Sequence, residues 1–219
     1  MSEYANEPVR GLPGHLPPGE HIVWQGAPAW RSLARRAMHT LLVGGYFAVL
    51  IVWSLLNVAT GHTTLAAAMP GIEITLGVGT AAVILLSLFG WLSARATVYT
   101  ITNKRVVLRF GIALPKCVNL PFSQIAAAGI EVHGDGTGDL PLSVKETRLG
   151  YIHLWPHVRP WRVGKPEPML RCLADPHAVA RIVADALAAA APGRRGVPGG
   201  TFAEPTAAQV FAPQGSIAA

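Results

Sequence analysis

Cysteine is nearly absent: Cys117 and Cys172 are the only two in 219 residues. Two isolated thiols make neither a disulfide framework nor a CxxC metal motif, so each is expected to be a packing residue. Acidic residues are also few, 12 against 18 Lys and Arg. They are scattered and form no general acid–base pair. No GxSxG, HExxH or Walker loop is present. The chain therefore offers no catalytic residue and no metal set, and it is expected not to be an enzyme. His153 and His157 are four apart, but Pro156 breaks the segment between them, so no helical metal pair is expected. GDGTGD, Gly134 to Asp139, lacks the register and closing Glu of a calcium loop and is expected to be a surface turn. A cleavable leader is not visible, because the first thirty-odd residues are polar and proline-rich.

The most informative shortage is local. Between His39 and Ala94 the only acidic or basic residue, histidines aside, is Glu73. Two apolar runs fill that window: Met38 to Ala59 and Ile72 to Ala94. Each approaches the ~20 residues that cross a bilayer core. Two buried helices of a soluble protein are the alternative, but a chain of this size could hardly cover helices apolar on every face. Arg31, Arg35 and Arg36 precede the first run, and Arg95, Lys104, Arg105 and Arg109 follow the second. The connection Thr60 to Gly71 has no Lys or Arg. The positive-inside rule then puts both termini in the cytoplasm and the connection outside. Glu73, at the start of the second run, is expected at the outer boundary.

Outside the runs four zones follow: an arm at 1–37, the helical hairpin at 38–95, a strand-rich domain at 96–191 and a disordered tail at 192–219. In the arm, Ile22-Val23-Trp24 reads as a short strand. Trp30, Leu33, Ala34 and Ala37 then keep helical spacing, with Arg31, Arg35 and Arg36 on the other face. VYTITNKRVVLRFG, Val98 to Gly111, reads as a β-hairpin. Tyr99 and Ile101 share one face of the first strand, Val106, Leu108 and Phe110 share one face of the second, and Arg105 and Arg109 project from the opposite face. Further strands are expected near Lys116–Leu120, Gly129–His133, Leu140–Lys145 and Gly150–Trp155. Asp175 and Pro176 open a closing helix whose apolar stripe includes Val179, Ile182, Val183, Ala186 and Leu187. The fold class expected is a membrane α-helical hairpin carrying a small all-β barrel capped by a C-terminal helix.

The segments TVYTITNKRVVLRFG, VNLPFSQI and DPHAVARIVADAL resemble the bacterial pleckstrin-homology-like domain. That resemblance implies a small barrel with a C-terminal capping helix. With LPPGEHIVWQGAPAWRSLARRAMH and the two runs, about Leu16 to Ala191 also resembles photosynthetic-complex assembly factors of purple bacteria, encoded beside the reaction-centre H subunit. This second resemblance implies a non-enzymatic factor of the inner (intracytoplasmic) membrane. Its partners would be reaction-centre and core light-harvesting subunits, with a homodimer and no nucleic acid. A membrane module that binds lipid or protein without a photosynthetic role is the alternative.

The candidate contact residues are Trp24, Trp30, Arg35, Arg36, Lys104, Arg105 and Arg109. The three cations of the hairpin are expected to turn the barrel toward an anionic leaflet, with an acidic subunit or plain solvent as alternatives. Gly44, Gly45, Gly77 and Gly79 permit close helix packing. No cofactor is expected. In a photosynthetic setting His39 is the one candidate ligand for a bacteriochlorophyll magnesium, and an interfacial polar histidine is the alternative.

Overall fold

The computed structural model describes residues 10–12, 14–145 and 150–190. The tail at 192–219 and the first nine residues of the arm lie outside the described residues.

Strand β1, Ile22–Gly26, is followed by a short helix α1, Trp30–Arg36, and two long helices, α2, Thr40–Ala59, and α3, Leu65–Ala96. Both are long and apolar enough to cross a membrane. Strands β2, Val98–Thr102, β3, Arg105–Phe110, and β4, Lys116–Pro121, come next. Then follow β5, Ile125–Ala128, β6, Glu131–Val132, β7, Gly138–Val144, a single helical turn α4, Tyr151–Leu154, β8, Met169–Leu173, and α5, Pro176–Ala190.

The first sheet has the order β1-β2-β3-β4, antiparallel throughout. In the second, β7 pairs with β5 and β6 on one side and β8 on the other. Alternation sends Tyr99, Ile101, Val106, Leu108 and Phe110 inward from the first sheet. Leu140, Leu142, Val144, Leu170 and Leu173 meet them from the second. Helix α5 closes the core with Val179 and Val183, and the Asp175 carboxylate caps it by accepting the Ala178 N–H at 3.0 Å.

Several sequence expectations are corrected. The arm at 1–37 is not separate, because β1 is the edge strand of the first sheet and Trp24 pairs with Ile101. The second long helix begins at Leu65 rather than Ile72 and carries Pro70 within its second turn. Leu-Ala-Ala-Ala-Met favours helix, and Pro this early deletes only one intrahelical bond. At 32 residues it is about 48 Å long. Glu73 therefore lies inside the helix, well past its start. Gly150–Trp155 is not a strand: one helical turn forms there. Strand β8, MLRCL, has no counterpart in the sequence expectations.

A second apolar cluster joins Leu33, Ala37 and Met38 to Ala94 and Cys172. It packs α1 onto the end of α3 and against β8. The chain then breaks at His39, whose φ of 53° is left-handed, and resumes as α2. Thus α1 and α2 lie end to end along one partner, α3. Gly79 admits Phe47, since a Cβ there would come within 2.7 Å of the Phe47 ring. Gly90 admits α1 itself, since a Cβ there would come within 2.9 Å of the Ala34 Cα.

Candidate functional site

The polar groups converge where α1, the end of α3 and the β6–β7 turn meet. The turn is GDGTGD. Asp135 folds it by accepting the Thr137 N–H at 3.2 Å and the Thr137 hydroxyl at 2.7 Å. Its other oxygen accepts the Ser32 hydroxyl at 2.7 Å and the Arg35 guanidinium at 3.2 Å. Arg36 adds a looser ion pair at 3.9 Å. The Ser32 hydroxyl bond, then those from Thr137, hold this carboxyl well below the usual range. The turn is therefore the anchorage of α1, which its glycine-rich composition did not disclose.

Behind the turn lies a buried polar cluster. Asp139 accepts the Cys172 N–H at 2.7 Å, and its carboxylate lies 3.3 Å from His133 and 3.7 Å from Arg171. Burial pushes the Cys172 thiol up to about 12, so it stays protonated. Nearer the helices, His157 is completely buried, with the Tyr99 hydroxyl 2.9 Å from Nδ1 and the Thr97 hydroxyl 3.0 Å from Nε2. Burial first, and the Arg171 charge second, push this imidazole down to about 3. It is neutral at physiological pH and ties β2 to the segment preceding β8. Among the described residues no three metal-ligating side chains converge.

The candidate contact residues separate into distinct places. Arg35 and Arg36 are brought together at Asp135. Trp30 opens α1 and is exposed, with the Arg31 guanidinium 5.4 Å from its ring centre. Trp24 is half-buried against the β-domain core, so it is not a free contact. His39 borders a cavity of about 430 Å³ with Arg36, Trp155 and Trp161.

The basic hairpin does not form one surface. Val98 follows α3 almost directly, so the Asn103-Lys104 turn sits at the opposite end of β2, about 16 Å away along the strand. Arg105 is engaged there: its guanidinium meets Glu20 at 2.8 and 3.1 Å. Burial would raise the Glu20 carboxyl, but its bonds to Arg105 and Thr102 prevail and hold it below the ordinary range. Arg109 pairs across from Val98, at the helix end, and is 8% exposed. It lines a cavity of about 610 Å³ with Arg10, Trp91, Leu92 and Arg95. Alternation identified the outward face of the hairpin but not its cover. Residues 10–12 supply part of it: Leu12 is buried, Gly11 lies on Val98, and Gln25 bridges the Arg10 carbonyl to Thr100.

The four glycines also divide. Gly44 and Gly79 face the partner helix within the hairpin. Gly45 and Gly77 face no described neighbour within 4 Å.

Residues 40–187 match the family model described as Bacterial PH domain, a span that takes in both long helices and strands β2 to β8. Over 184 residues the chain is 36% identical to an "Uncharacterized 23.7 kDa protein in puhA 5'region" of Rhodobacter capsulatus. That alignment covers 82% of this chain and 85% of the relative. No solved structure matches.

Proposed function

The chain belongs to the bacterial PH domain family, and from that premise we propose that it is a membrane-anchored, PuhB-like assembly factor for the photosynthetic reaction centre and core light-harvesting complex. The observation that carries this reading is the extended similarity to a protein whose printed name places it in the puhA 5′ region. The similarity spans most of both chains, so it includes the hairpin and the β-domain together.

The geometry supports a holding role. Two long apolar helices offer lateral contact to other spans. Helix α1 and the β6–β7 turn lock the β-domain to one end of them, so a partner gripped by that domain is held at a fixed place beside the hairpin. In this reading that end is cytoplasmic, because the arginines flank it and the short 60–64 connection has none. The membrane is the bacterial inner (intracytoplasmic) membrane. The partners are reaction-centre and core antenna subunits, and no enzyme activity or cofactor is part of the proposal. Gly45 and Gly77 are the small residues free to meet another span. A homodimer is proposed on that face.

Deletion of the gene in its host, scored by near-infrared absorbance of isolated membranes, tests the reading. Slow or reduced accumulation of reaction-centre and core-antenna bands supports it. Unchanged bands overturn it and favour a membrane module without a photosynthetic role.

A further inference from the structure

The β-domain carries four large apolar side chains on one connection, and solvent reaches all of them. Ile152 is 85% exposed, Trp161 95%, Val163 67% and Trp155 44%. Trp155, Trp161 and Val163 line one cavity and Ile152 lies on the helical turn that Trp155 ends; exposed apolar surface of that kind is costly in water and marks a contact.

Its position identifies the contact. The Trp155 ring stacks on Phe89 of α3, with centroids 6.0 Å apart and planes 26° off parallel. Gly44 faces Val83, and Gly79 faces Phe47. Continuing that antiparallel register puts Thr40 about level with Leu86, so Phe89 lies roughly 4 Å beyond the first residue of α2. His39, the residue before α2, shares a cavity wall with Trp155, Trp161 and Val163. The patch is thus level with the start of α2, about 9 Å short of Arg95, where the apolar stretch of α3 ends. That is the headgroup layer, where Trp side chains concentrate at membrane surfaces. Arg36 edges the patch on its polar side, as a cation edges an interfacial segment, with His39 beside it.

We propose that residues 150–163 form an interfacial wedge that inserts Ile152, Trp155, Trp161 and Val163 into the bilayer leaflet on the β-domain side. The wedge is a third membrane contact beside α2 and α3. It rests on those helices crossing a bilayer and not on the identity of any photosynthetic partner. It also replaces the basic hairpin turn as the feature that orients the β-domain, since that turn points to the far end.

The full chain carrying Cys117→Ser, reconstituted in phosphatidylcholine–phosphatidylglycerol liposomes, is spin-labelled through Ile152→Cys, Trp161→Cys or Lys104→Cys. Labels at 152 and 161 are expected to show an oxygen-to-nickel-chelate accessibility ratio severalfold above that at 104. A second measurement uses the conservative Trp161→Phe with brominated phosphatidylcholine in the liposomes. Bromine quenching of tryptophan emission is expected in the natural chain and reduced in the variant. Labels at 152 and 161 as open to the nickel chelate as that at 104 would overturn the proposal. So would labels shielded from both reagents, which would place a protein partner on the patch. Quenching unchanged by Trp161→Phe would also overturn it.

Discussion

Arg35 reaches Asp135 at 3.2 Å across a sequence separation of 100 residues. With Ser32 on the same carboxylate, this contact fastens the helix ahead of the first long span to a turn of the β-domain. Asp135→Asn keeps the shape and removes the charge. Faster amide exchange across residues 30–36 at pH 7 is expected, with the β2–β3 hairpin unchanged. Equal exchange in both proteins would show that the apolar cluster around Leu33 suffices alone.

Gly90 is where α1 and α3 touch backbone to backbone. Gly90→Leu must push Ala34 away, and overpacking of this kind costs about 1–3 kcal/mol. A lower midpoint of thermal unfolding in detergent is expected. Gly71→Leu is the matched control, because a Cβ there meets nothing within 4 Å and it is not on the proposed homodimer face. It gains helix propensity and should not lower the midpoint.

Arg105→Gln separates two roles for the basic hairpin. Glu20 would keep a nearly covered carboxylate without its guanidinium, a loss of about 1–3 kcal/mol. Stability should fall, measured by denaturant unfolding. Lys104→Gln should leave it unchanged. Neither substitution should change proximity of the β-domain to the bilayer, measured by energy transfer to labelled lipid, because the turn faces away from the helix end.

His157 makes the fold sensitive to mild acid. The unfolded chain takes a proton there near its ordinary value of 6.5, while the folded chain resists to about 3. Its contribution is whole above pH 6.5 and declines as the pH falls toward 3, by at most about 1.4 kcal/mol per pH unit. Glu20, Glu167 and Asp135 are held below the usual carboxylate range and join only in stronger acid. Between pH 6.5 and 5 the natural chain should lose melting temperature. His157→Gln, less stable at pH 7, should be nearly flat over the same interval.

Hydropathy, period-two alternation and helical spacing made the two long helices, the β2–β3 hairpin and the α5 stripe legible in turn, because each depends on its own residues. The rest depends on distant partners. Trp24 reads as a contact residue until β1 is seen paired to β2, 73 residues or more away in register. Arg105 reads as a free cation until Glu20 is seen against it. In β8, Arg171 interrupts an apolar run, and only Asp139 and the Pro156 carbonyl, which accepts from Arg171 at 3.1 Å, show how that cation is buried. Gly90 lacked a signal of its own among many helix glycines, since its meaning is the Ala34 backbone across from it. The wedge was masked because Gly150–Trp155 looked like a strand with a buried face.

The most direct test of the assembly role is complementation of a host strain deleted for this gene, read by near-infrared absorbance of its membranes. The intact chain should restore the reaction-centre and core-antenna bands, and an Asp135→Asn/Leu33→Ala chain, present in the membrane at equal level, should restore them only in part. Bands that are the same with the gene, without it and with the variant would contradict the account.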